Sequence, residues 1–512
     1  MRWISRSRST IDRLLWLTLS TITCILAIAL YRSPDATALR RGTSNGEPEK
    51  DWNVKHHLGG ISPWYARTPQ GINGSHDIPP GCVVDQVHLM SRHGERFPTL
   101  APGIRMLELY QRLQHANITF AGDLAFVNSW NFFAPLPDQQ FEQLTTTSPY
   151  AGTLSAFSAG VKLRTKYFHL LESAIARRKT SFWASDSQRV IDTAKNFASG
   201  FFGMDWADYT TLHIIPETLE QGSNTLTPGR ACRNYFDDTD DYGRGYGAKQ
   251  LKAFGATYLS AISQRLQNDN SEIAFSNDEV YTMQEMCGFE LMAKGSSKWC
   301  DVFTRDEWLS FEYARDTWHY YRAGSGSPYA ASLGFPWLNA TTNLLRQGPE
   351  AGPLFLSFNH DVDIMTLLAA LDLFPQDPPL PTSRVLHDRT WRMSDVTPMH
   401  GRIALERMTC TALKTCFANP LYPNHVYCDE NEEEEFETYV RIDVNDAIVP
   451  LPGCADGPGG SCPLHDFEKR VGKRGRETKS FAEMCGTGGS GGVEFLHQER
   501  KQAFPQQSGS KT

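Results

Sequence analysis

Three times along this chain a short run of β-forming apolar residues breaks off into a polar cluster and then into helical spacing. The first run, Val83 to Met90, leads into Ser91 and the string Arg92-His93-Gly94-Glu95-Arg96. The second, Ser181 to Ala184, leads into Ser185-Asp186-Ser187-Gln188-Arg189, followed by Val190, Ile191, Ala194, Phe197, Ala198 and Phe201. The third, Pro353 to Phe358, leads into Asn359-His360-Asp361, then Ile364, Leu367, Leu368 and Leu371. Strands feeding helices predict an α/β fold with a mixed central sheet flanked by helices. Ligands of such sheets bind beyond the carboxyl ends of the strands, so the three clusters are expected to share one pocket. With 512 residues and 40% hydrophobic composition, the chain can build one large domain with an insertion. Helical patterns at Lys249 to Leu266, Asp278 to Met286 and Asp306 to Tyr321 place a smaller α-rich lobe at about 205–348.

The first cluster suits phosphoryl chemistry. A phosphoryl group in transfer spreads negative charge over three equatorial oxygens, and guanidinium forks match those oxygens. Arg92, Arg96 and Arg189 are the expected cradle, with His360 as a further donor. His93, nucleophilic when neutral, is the expected attacking group, passing through a phosphohistidine. Gly94 would let the backbone approach the phosphate. Asp361 is the expected proton donor to the leaving oxygen. Arginines pull a carboxylate pKa down, so an acidic optimum is expected. The plainer alternative for the five-residue string is a surface loop with scattered charges.

The string RHGERFPT at Arg92 to Thr99, with the later His360-Asp361 pair, resembles the histidine acid phosphatase family, in its fungal branch of secreted acid phosphatases and 3-phytases. Gln188 to Ala194 followed by Phe201-Phe202-Gly203 resembles that family's third arginine and helix. Similar stretches at Met286 to Glu290, Phe311 to Ala314, Met399 to Gly401 and Val444 to Asp446 extend the likeness over roughly 55–488. The resemblance implies the histidine phosphatase fold, shared with the phosphoglycerate mutases. It also implies hydrolysis of phosphate monoesters, phytate included, without cofactor or metal, by the residues named above. One departure is Val362, where the family usually has Thr or Asn. The form HDVD is closer to the HDTD of acid phosphatases than to the HDN of dedicated phytases, so a broad phosphatase leads over a specialised 3-phytase. A phosphoglycerate mutase-like enzyme and an inactive phosphate-binding paralogue are the alternatives of another class.

Residues 1–40, with apolar Leu14 to Tyr31 after a basic leader, read as a signal peptide or a single membrane anchor. The catalytic body would then be secreted, associated with the cell wall, or anchored with its bulk outside. A polar stalk at 41–55, a phosphatase domain at 56–488 and a flexible tail at 489–512 complete the plan. Ten cysteines beyond Cys24 suggest five disulfides. Spacing proposes Cys287-Cys300, Cys410-Cys416 and Cys454-Cys462, and the family resemblance adds Cys82-Cys428 and Cys232-Cys485. Sequons at Asn73, Asn117 and Asn339 fit an extracellular surface. Glu285 and Glu290 read as exposed helix carboxylates, Gly324 to Ser327 as a turn, and the acidic run Asp429 to Glu437 as a solvated loop. Net charge is −8 at pH 7 and reverses once carboxylates protonate. No basic stripe interleaved with aromatics points to nucleic acid. A homo-oligomer is left open.

Overall fold

The computed structural model describes residues 52–66, 77–176, 180–239, 241–411, 416–418, 426–428, 436–487 and 492–497. The predicted anchor or signal segment, the sequon at Asn73 and most of the acidic run lie outside the described residues. Among the described residues, no helix is long and apolar enough to cross a membrane.

Ten strands are present among them: β1 (Cys82–Arg92), β2 (Thr180–Ser185), β3 (Thr210–Ile215), β4 (Leu354–Asn359), β5 (Arg402–Thr411), β6 (Cys416–Ala418), β7 (Val426–Cys428), β8 (Phe436–Val444), β9 (Ala447–Ile448) and β10 (Cys462–Pro463). The main sheet runs β10-β8-β5-β1-β4-β2-β3, with β9 beside β8. Pairs on the β1-β4-β2-β3 side are parallel, and those on the β5-β8-β10 side antiparallel. β1 is therefore the seam of a mixed sheet.

Strand alternation builds two cores from it. Leu89, Leu356 and Phe182 point to one face, packing with Phe197 and Phe201 of helix α3 (Gln188–Phe201), which lies against α2 (Gly152–Lys166). Met90, Phe355 and Trp183 point to the other, packing with α5 (Arg305–Ala323), α6 (Ala330–Gln347) and α7 (Asp361–Leu371). Helix α1 (Leu100–His115) belongs to a further core with α4 (Asn277–Lys294), the centre of the α-rich lobe.

Several expected boundaries move. β3 is the edge strand of the main sheet, yet lies inside the segment predicted as lobe, so the insertion begins only after Ile215. The chain divides at Asp51/Trp52. Trp52, placed in the stalk, stacks on His57 at 4.1 Å between ring centroids. Val493, Phe495 and Leu496, placed in the tail, are buried in the core beside Trp183. Apolar residues isolated among glycines give no periodic signal, which is why the tail reading missed them.

Cystine connectivity also differs. The described bonds are Cys82–Cys410, Cys232–Cys485, Cys287–Cys300 and Cys454–Cys462. The expected Cys82-Cys428 and Cys410-Cys416 pairs are overturned, because antiparallel pairing sets Cys82 directly opposite Cys410. Cys416 and Cys428 instead occupy partner positions in the β6-β7 hairpin register.

Candidate active site

The three clusters meet at the carboxyl ends of parallel strands. Arg92 ends β1, Arg189 sits in the first turn of α3, and His360 caps the start of α7, whose first residue is Asp361. Together with His93 and Arg96 they line a cavity of about 780 Å³.

Arg92 is fixed by its backbone surroundings. Its Nη1 donates to Gly60 O at 2.6 Å and Thr397 O at 2.8 Å, while Nη2 lies 3.1 Å from Asp361 Oδ2. Arg96 donates to Phe97 O at 2.9 Å, with its guanidinium 5.8 Å from the centre of the Phe289 ring. Arg189 has only a distant carboxylate, Glu142 Oε2 at 3.8 Å. The Nε donors of all three arginines are buried without a hydrogen-bond partner. Buried donors normally find acceptors, so this cluster is built to receive one.

His93 Nδ1 lies 2.9 Å from Gly94 O. A carbonyl only accepts, so Nδ1 carries the proton and the neutral ring keeps its lone pair on Nε2. Burial, then Arg189, Arg92, Arg96 and His360, hold this imidazole well below its usual pKa. It therefore stays neutral deep into the acid range. Gly94 N–H donates to Thr193 Oγ1 at 2.9 Å, tying the His93 loop to α3. The glycine is required by chain packing rather than by the ligand: a Cβ there would lie 2.6 Å from Gly152 O.

His360 departs from its expected part. Its Nε2 lies 2.7 Å from Glu217 Oε1. Burial pushes the Glu217 carboxyl up, but the His360 contact and Arg230 bring it below its usual value, so it is an ionised acceptor and Nε2–H donates to it. That proton is engaged within the protein. The His360 and His93 ring planes stand at 68° to one another, with centroids 5.6 Å apart.

Asp361 is held well below the ordinary carboxylate range. Burial favours its neutral form, but Arg92, His319, Arg322 and His93 outweigh it. Val362 N–H donates to Asp361 Oδ1 at 2.9 Å, so the carboxylate is steered by backbone, with no hydroxyl needed at 362.

Several other lining residues carry no sequence signal: Glu217, Arg230, Arg244, Arg315, His319 and Arg322. They are single polar residues in loops or on helices, without motif. Glu285 and Glu290 correct the exposed-carboxylate reading, since α4 is buried on nearly every side. Glu285 binds Arg105 at 2.6 Å and Arg315 at 3.0 Å, and Glu290 accepts from Trp130 Nε1 at 2.8 Å. Opposed to this charge, Leu100 and Ile104 of α1 are exposed apolar residues of the cavity lining. Among the described residues no cluster fit to hold a metal ion is present.

Residues 83–445 match the family model of the histidine phosphatase superfamily (branch 2). An acid phosphatase of Komagataella pastoris is 33% identical over 472 residues, covering 90% of this chain and 94% of that protein. A phytase of Candida albicans is 33% identical over 445 residues, covering 85% and 88%. The crystal structure of the phytase from D. castellii superposes with a TM-score of 0.78 at 28% identity, covering 92% of this chain and 96% of that one.

Proposed function

We propose that this chain, which belongs to the histidine phosphatase superfamily (branch 2), is an acid phosphomonoesterase working through a phosphohistidine at His93. One observation carries the reading: a neutral imidazole with its lone pair on Nε2 stands among buried guanidiniums whose Nε donors lack acceptors. Arg92, Arg96 and Arg189 cradle the phosphoryl oxygens, which supply those acceptors. Nε2 forms a bond to phosphorus as the ester P–O bond breaks, and Asp361 gives the departing oxygen its proton. Water then attacks phosphorus, passing a proton to the Asp361 carboxylate. The N–P bond breaks, inorganic phosphate leaves, and His93 returns to its neutral form.

Asp361 has no proton to give in the empty pocket. Two effects supply it. A bound phosphoryl group cancels the guanidinium field that holds the carboxyl low, leaving burial to raise it. The monoanionic ester, whose second ionisation lies near pH ~6, also brings a proton with it. Activity is thus expected in acid and lost as pH rises through that ionisation.

For substrate, the names of the relatives favour simple monoesters and phytate together. The mouth agrees with breadth: arginines 230, 244 and 322 suit further phosphates, while Leu100 and Ile104 suit apolar leaving groups. The apolar segment Leu14 to Tyr31 favours entry to the secretory route, with cleavage giving a secreted enzyme and retention an anchored one. Exposed Asn117 and Asn339 are then the glycan acceptors among the described residues.

Replacing His93 by Ala tests the function. Phosphate release from an aryl phosphate in acidic buffer should fall roughly 10⁶-fold in kcat, the scale of losing a nucleophile. Activity within tenfold of wild type contradicts the mechanism.

A further inference from the structure

We infer that Glu217 is a positioning residue of this pocket, holding the His360 ring by its Nε2 proton so that the imidazole keeps its angle to His93 through the catalytic cycle. The inference rests on the phosphohistidine reading above and adds a residue that neither the sequence motifs nor the expected roles contain.

Topology gives the first argument. Glu217 lies just past β3, and His360 just past β4, with β2 between them in the sheet. Their 2.7 Å contact therefore spans the end of an intervening strand and ties two separated strand ends together. Strands two places apart stand roughly 10 Å from one another, a gap that a glutamate and a histidine reaching from both sides can close.

Charge gives the second. A carboxylate in a cavity built for an anion repels the ligand unless its own charge is engaged. Glu217 Oε1 is engaged by His360, Arg230 Nε stands 3.8 Å from Oε2, and only 15% of the side chain is exposed. The bond also selects the tautomer, because the neutral ring must keep its proton on Nε2 to satisfy the carboxylate. Burial and Arg189 outweigh Glu217 and Asp361 and hold His360 below its usual pKa, so the ring that the carboxylate grips is neutral. The carboxylate thereby holds this ring in one orientation and one tautomer.

The test uses the full chain with Glu217→Gln, which preserves size and removes charge. Hydrolysis of an aryl and an alkyl phosphate is followed against pH, with Tm recorded and the His360 ring nitrogens read by ¹⁵N NMR. We expect kcat to fall about ten- to a hundredfold, the scale for losing a group that orients an active-site histidine. KM should change less than kcat and Tm should hold. The alkaline limb, which the ester's second ionisation sets, should stay in place. The wild-type ring should show Nε2–H, and the variant a mixture of tautomers. Wild-type kcat, or an unchanged Nε2–H tautomer, in a folded variant overturns the inference, as does a loss of kcat that tracks a fall in Tm. Failure of the parent reading looks different, since wild-type enzyme would then never carry phosphate on His93.

Discussion

Two of the regions in which this molecule buries arginines treat them in opposite ways. On the antiparallel side of the sheet, Arg441 meets Glu406 at 2.6 Å with both side chains fully buried, and Lys166 bridges Glu406 at 2.8 Å and Asp443 at 2.9 Å. Tyr167 OH donates to Glu406 Oε1 at 2.6 Å. Two cations face two carboxylates. At the strand ends of the parallel side, Arg92, Arg96 and Arg189 crowd His93, with Asp361 and the more distant Glu142 as their carboxylate contacts. Desolvating a charge costs several kcal/mol unless a partner replaces water. The first region supplies its partners from the chain, while the second leaves acceptor positions for a ligand. Neutralised charge holds a fold together, and charge left in surplus around a cavity recruits an anion.

The comparison breaks most sharply at Asp361, the one pocket carboxylate held against Arg92. Asp361→Asn should lower kcat for an alkyl phosphate by roughly 10²–10⁴ and for an activated aryl phosphate far less, because only the poor leaving group needs a proton. Equal losses on both esters would remove Asp361 from the donor role.

Exchanging one group in each region separates stability from activity. Glu406→Gln removes the buried carboxylate that Arg441 and Lys166 share and should cost about 3–5 kcal/mol in denaturant unfolding, with kcat of the folded fraction unchanged. Arg189→Gln should lower kcat/KM by roughly 10²–10³ with stability equal to or above wild type, since it relieves repulsion among like charges. The reverse pattern would abolish the distinction. Smaller still is the effect of ligand. Inorganic phosphate at a hundred times its Kd should stabilise the wild type by about 2.7 kcal/mol, and Glu406→Gln by the same increment. Calorimetry of Arg96→Gln/Arg189→Gln should show that increment lost.

The paired and unpaired regions were not equally legible. Arg92, His93, Arg96, Arg189, His360 and Asp361 announced themselves because each follows a strand-like run, and a strand end fixes where the next side chains go. β1, β2 and β4 were legible for the same reason, as was the mixed sheet. Glu217 was not, because β3 lies among helical patterns and its carboxylate has no companion motif. Glu285 was misread since α4, buried on nearly every side, has no polar face to mark exposure. Arg441 and Glu406 carry no motif, for their pairing depends on the β5-β8 register, which the spacing of 35 residues does not reveal. The same blindness to register misassigned Cys82 and Cys410.

The central claim is that the His93 imidazole, neutral and with Nε2 free, carries the phosphoryl group between the two halves of the reaction. The direct measurement is to mix the enzyme with ³²P-labelled aryl phosphate, quench in alkali, where phosphohistidine survives, and map the label by peptide. The account predicts label on His93 at a stoichiometry approaching one per chain for an activated ester, absent in His93→Ala. Rapid turnover with no label on that side chain at any quench time contradicts it.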